Sequence, residues 1–212
     1  MIFPEILPIA KDIASVLSGL AAVAAFVGAF VAWRGLKSWR HQLTGRTEYE
    51  LARRLCRAVY QVREEIRFVR NPAIIPSEAT LARQEAGIED ETRFIGHNKD
   101  IVAVYDRRWR QLASAMSNLE LESLEAEVLW GKDVIVRLKP LKDCVTKLRI
   151  NLNRYIRARL DPTTWRRTPK EFEENDAIIY WISDEGTKDK FSGEIADAVR
   201  YFEEFIRTYL KP

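Results

Sequence analysis

Histidine and cysteine are scarce in this 212-residue chain, at two each, and their scarcity removes whole classes of chemistry. His41, His97, Cys56 and Cys144 cannot assemble a dense zinc-type ligand set. Two cysteines form at most one bridge, which excludes a disulfide scaffold, and both lie among apolar residues on helical patterns, as reduced core thiols of a cytoplasmic protein do. No glycine-rich phosphate loop, zinc spacing or nucleophile elbow occurs, so the sequence predicts no metal and no cofactor and names no small-molecule ligand. Glycine and proline are also few, at nine and eight. With 47% hydrophobic and 31% charged residues the chain can bury a core, which excludes global disorder and fibrous structure, and its length suits one domain or two small ones.

Charge is missing altogether from one long stretch. Ile13 to Trp33 reads IASVLSGLAAVAAFVGAFVAW, 21 residues without a charged side chain. At about 1.5 Å per residue such a helix spans a hydrocarbon layer of roughly 30 Å. A secretory signal peptide would begin basic and carry a shorter apolar region, whereas here Lys11 stands against Glu5 and Asp12. The expected plan is a short extracytoplasmic N-terminus at 1–12, a transmembrane helix at 13–33 and a cytoplasmic helical domain at 34–212.

Orientation follows from the flanks, since positive charge beside a span stays on the cytoplasmic side. Arg34, Lys37, Arg40, Arg46 and Arg53 follow the run, with Lys11 alone before it, so the N-terminus is expected outside a bacterial inner membrane. Trp33, Arg34, Lys37, Trp39 and Arg40 then form the membrane interface, the two tryptophans as amphipathic anchors among the lipid headgroups. Within the run, Ser15, Ser18, Ala22, Ala25, Ala29 and Ala32 follow alternating spacings of three and four. Small residues on one stripe let backbones approach closely in lipid, which predicts that these six are the contact of a homo-oligomer.

Beyond the collar the pattern is amphipathic and helical. Ala52, Leu55, Val59, Val62, Ile66 and Val69 recur at helical spacing until Asn71, Pro72 and Pro76 stop the helix. The stretch to Asn98 reads as loop with one short helix. Ile101, Val104, Tyr105, Leu112, Met116 and Leu119 resume the period, followed by Leu121, Leu124 and Val128, with Gly131 as a stop. A third stripe runs Ile135, Leu138, Leu141, Val145, Leu148, Leu152 and Tyr155, through a bend at Pro140, to a stop near Asp161 and Pro162. AIIYWIS at 177–183 has the aromatic and β-branched content of a short strand, and Asp184, Glu185 and Gly186 the content of a turn, which suits a small hairpin over 177–191. Ser192 reads as the cap of a last helix bearing Ile195, Ala198, Val199, Phe202, Phe205 and Ile206. The fold class is mainly α: a transmembrane helix, then a helical bundle with that hairpin.

Net charge is +3, yet it is laid out in blocks. Residues 137–170 carry eleven Lys or Arg against Asp143 and Asp161, and residues 171–204 carry eleven Asp or Glu against Lys188, Lys190 and Arg200. The blocks can satisfy one another, or the arginine-rich one can meet lipid headgroups or nucleic acid. Glu120, Glu122, Glu125 and Glu127 form the one carboxylate cluster, with no histidine near in sequence, and suit a solvated helix face. His97 lies in a polar segment, four residues beyond Arg93, and reads as a surface residue.

The single span, the collar WRGLKSWRHQL from Trp33 to Leu43, the TEYELARRL helix from Thr47 to Leu55 and the helical remainder together resemble small bacterial membrane proteins of the antiphage-defence type. The plan is similar to that of the membrane accessory protein accompanying the RNA-cutting type VI-B CRISPR effector. The resemblance implies an oligomeric, pore-like assembly that depolarises the infected cell, with membrane lipid, further copies of the chain and a cytoplasmic protein or RNA–protein complex as partners. It also implies a link to the helical nuclease fold in which an Arg is followed, after four to six residues, by a His. Arg34 and His41 alone have that spacing, so the alternative expectations are a membrane-tethered ribonuclease using this pair, or a passive membrane scaffold.

Overall fold

The computed structural model describes residues 6–88, 98–161, 168–181 and 189–210, with side chains left undescribed at 6–24, 26, 37, 38 and 40–44. Six helices follow in order among the described residues: α1 (Ile6–Val69), α2 (Pro76–Glu85), α3 (Asn98–Trp130), α4 (Asp133–Leu160), α5 (Pro169–Ile179) and α6 (Lys190–Ile206). The chain divides into two compact units, Met1–Glu48 and Tyr49–Pro212.

Unit 1 is the first part of α1, and the whole uncharged run lies within that helix. Among the described residues no helix is long and apolar enough to cross a membrane, and most of the run falls on positions whose side chains are outside them.

In unit 2 the apolar stripes meet as a four-helix core. Leu51, Leu55, Val59, Val62, Ile66 and Val69 of α1, Leu112 and Leu119 of α3, Leu138, Leu141, Leu148 and Leu152 of α4, and Ile195, Val199 and Phe202 of α6 are buried together. Each such side chain contributes about 1.5–3 kcal/mol by leaving water. A smaller cluster of Ala79, Ala82, Ala103 and Val104 seats α2 on α3. Helices α3 and α4 form an antiparallel hairpin whose corner is Gly131 at φ 77°, a left-handed conformation that a side chain would strain. Helix α4 runs through Pro140 and ends at Leu160, before the Asp-Pro pair.

The expected hairpin at 177–191 is not formed. Ala177–Ile179 are the last turn of α5, Lys190 and Phe191 open α6, and residues 182–188 lie outside those described. The local reason is a capping box: the Thr168 hydroxyl accepts from the Glu171 amide, the Glu171 carboxylate accepts from the Thr168 amide, and Pro169 sits at the first helical position. Helical phase then turns Asn175 and Ile179 inward together. The cap of α6 also moves. It is Asp189, which accepts from the Ser192 amide at 2.7 Å and from its hydroxyl at 2.8 Å, so Ser192 stands three residues inside the helix.

Candidate functional site

The membrane-facing expectations concentrate in unit 1. Ala25, Ala29, Ala32, Arg34 and Trp33 are exposed there, as is Trp39. Val27, Phe30, Val31, Trp33 and Leu36 are 52–62% exposed, and the rings of Phe30 and Trp33, one turn apart, lie 6.3 Å between centroids. These side chains point in every direction around the helix, which is the pattern of a helix with no single wet face. The side chains of Ser15, Ser18, Ala22, Lys37, Arg40 and His41 lie outside the described residues, so the small-residue stripe is described only at its C-terminal end. Arg34 and His41 stand seven positions apart on α1.

Unit 2 is organised around two buried arginines. Arg108 lies on α3 in phase with Tyr105 and Leu112, and is fully buried. It donates to both carboxylate oxygens of Glu78 at 2.7 Å and to the backbone carbonyls of Asn71 and Ala73, with Phe68 stacked 5.0 Å away. The guanidinium fork thus fixes the chain leaving α1 and the start of α2. Arg70 does the same for α5 and α6. It donates to the carbonyls of Ala177, Ile178 and Tyr180 at the negative end of α5, and to Asp189 and Ser192 at the start of α6. Burial lowers the Arg70 pKa against the raising influence of Asp189. Burial acts to raise Asp189, but the bonds from the Ser192 amide and hydroxyl and from Arg70 outweigh it, and its carboxyl lies below the usual value.

The cysteines are free thiols, and burial first of all pushes both up to about 11, which leaves almost no thiolate at neutral pH. Among the described residues no group of three or more His, Cys, Asp or Glu is placed to hold a metal ion. The carboxylate cluster has other occupations. Arg54 of α1 bonds Glu122 at 2.9 Å and also Glu125, and Lys142 of α4 approaches Glu120 at 3.9 Å. The charge blocks meet at Lys147 and Glu194, 2.6 Å apart beside an open groove of about 650 Å³ between α4 and α6. Other block arginines stack instead: Arg137 on Tyr201 at 4.4 Å and Arg149 on Trp109 at 4.4 Å.

One stripe points the other way from the sequence expectation. Leu121, Leu124 and Val128 are 66, 59 and 84% exposed, while Leu119, Ser123 and Ala126 take the core side of α3. The signal was present as phase: 121 and 128 stand two and nine residues from Leu119, close to half a turn out of step at 100° per residue.

No family model matches the chain, and no curated protein or solved structure matches it either.

Proposed function

We propose that the chain is a single-pass membrane protein that self-associates and acts as a defence-type effector or accessory, perturbing or permeabilising the inner membrane in answer to a signal or a partner. One observation carries this reading: α1 continues through an uncharged run of 21 residues, and the apolar side chains from Val27 to Leu36 are exposed around it. In water such a belt is unfavourable by about 25 cal/mol per Å², and in hydrocarbon it is not. The basic collar from Arg34 favours a cytoplasmic bundle, and the exposure of Trp33 and Trp39 supports their assignment as headgroup anchors. Self-association is assigned to the stripe Ser15, Ser18, Ala22, Ala25, Ala29 and Ala32, where close backbone approach supplies the packing.

The test is membrane depolarisation, read with a potential-sensitive dye in cells expressing the protein. The wild-type chain depolarises them. Ala22→Leu with Ala29→Leu holds backbones apart and abolishes the signal, while Val23→Leu with Phe30→Leu retains it. His41→Ala retains it as well. Loss of the cellular effect on His41→Ala, with insertion and oligomer intact, would instead establish the ribonuclease alternative, because general acid or base work needs the imidazole.

A further inference from the structure

The exposed face of unit 2 formed by α1 and α3 carries two ridges of opposite character, side by side. On α1, Tyr49, Arg53, Arg57 and Tyr60 recur at spacings of four, four and three on the side away from the core, all exposed. Arg53 and Arg57 stand one turn apart, with Arg53 5.9 Å from the Tyr49 ring centroid. On α3, Leu121, Leu124 and Val128 form the outward stripe, with Glu120 and Glu127 along its edge. The Arg54 bonds to Glu122 and Glu125 tie the two ridges together at the same level of the bundle. One ridge is basic and aromatic, the other apolar and acid-edged.

Such a pair is self-complementary. A two-fold axis running along the helices, between the ridges, lays the basic ridge of one copy on the acid-edged apolar ridge of the other, and repeats the contact in reverse. Pairing α3 with α3 instead would set Glu120 and Glu127 against their own copies, which like-charge repulsion opposes. Tyrosine and arginine are the residue types that concentrate at protein contacts, and an apolar stripe is what they cover. The geometry points to a second copy of this chain as the occupant of the surface, in a two-fold dimer made by Tyr49, Arg53, Arg57 and Tyr60 against Leu121, Leu124 and Val128. The two α1 helices run parallel in that dimer, as two chains sharing one membrane require, and to that extent the inference rests on the membrane reading above.

The experiment is the mass of the full chain in detergent by size-exclusion light scattering. Arg53→Glu with Arg57→Glu, and separately Glu120→Arg with Glu127→Arg, each halve the mass. Mixing the two variants one to one restores it, because each contact then again pairs opposite charges, and so does placing all four changes in one chain. Leu121→Gln with Val128→Gln halves the mass and no charge change rescues it. Circular dichroism accompanies each variant, and the restored mass of the four-fold variant shows that the charge changes leave the fold intact. Wild-type mass in the single-ridge variants, a monomeric wild-type chain, or failure of the mixture to recover overturns the proposal. Ala22→Leu with Ala29→Leu separates the two readings. A mass that falls only with that pair leaves the span contact standing and this one refuted, and a mass that falls only with the ridge variants does the reverse.

Discussion

Between Leu51 and Val69 helix α1 keeps Leu51, Leu55, Val59, Val62, Ile66 and Val69 wholly out of solvent, whereas between Val27 and Leu36 the same helix leaves Val27, Phe30, Val31, Trp33 and Leu36 more than half exposed. Both stretches are mostly apolar, and the number and arrangement of charges separate them. In the first, arginines and glutamates fill the positions between the apolar ones, so one stripe is wet and the other is covered by α3, α4 and α6. In the second, no charge falls anywhere on the circumference until Arg34. A helix with one apolar stripe asks for a bundle, and a helix apolar on all sides asks for a different solvent.

Three experiments test that contrast, beginning with the largest effect. Arg108→Ala breaks the bundle most, because Glu78 stays buried without its cation and two backbone carbonyls lose their donor. A loss of about 3–5 kcal/mol in unfolding free energy is expected, measured by urea denaturation in detergent. Ile66→Ala against Phe30→Ala compares the two stretches of α1 directly. Ile66 is fully buried, and its truncation costs about 2–5 kcal/mol, whereas Phe30 is 56% exposed and its truncation leaves the unfolding of the bundle within about 0.5 kcal/mol. Similar losses from both would show that the exposed belt is part of the bundle core after all.

Asp189→Asn has a smaller effect than the two core truncations, roughly 1–3 kcal/mol, and a signature in pH. The folded Asp189 carboxyl lies below its usual 3.8, so its contribution is fully present above that value and is lost as pH falls through the lowered one. The wild-type acid-unfolding limb should therefore flatten in Asp189→Asn while stability at neutral pH drops. An unchanged acid limb would remove the Arg70 clamp from the account.

Much of the bundle was legible as periodicity. The stop of α1 before Asn71 and Pro72, the corner at Gly131, the passage of α4 through Pro140 and the last amphipathic helix all followed from spacing and from proline and glycine placement. What failed was competition between signals. AII at 177–179 has strand composition, but Thr168, Pro169 and Glu171 start a helix upstream, and initiation prevailed over propensity. Leu121, Leu124 and Val128 were apolar at helical spacing yet out of phase with Leu119, so composition pointed inward where phase pointed outward. Arg108 was legible in principle, since it keeps step with Tyr105 and Leu112, but a charged residue in a core stripe is understood only when Glu78 is seen to meet it across thirty positions of sequence. Of the candidate site residues, Ala25, Ala29, Ala32, Trp33, Arg34 and Trp39 are exposed, and the side chains of Ser15, Ser18, Ala22, Lys37, Arg40 and His41 lie outside the described residues.

Alkaline carbonate extraction of membranes from cells expressing the full chain tests the central claim most directly. If Ile13–Trp33 spans the bilayer, the protein stays in the membrane pellet after the wash and is released only by detergent. Recovery of the protein in the carbonate supernatant would contradict the account, because it would mean that the apolar belt of α1 is covered by protein and not by lipid.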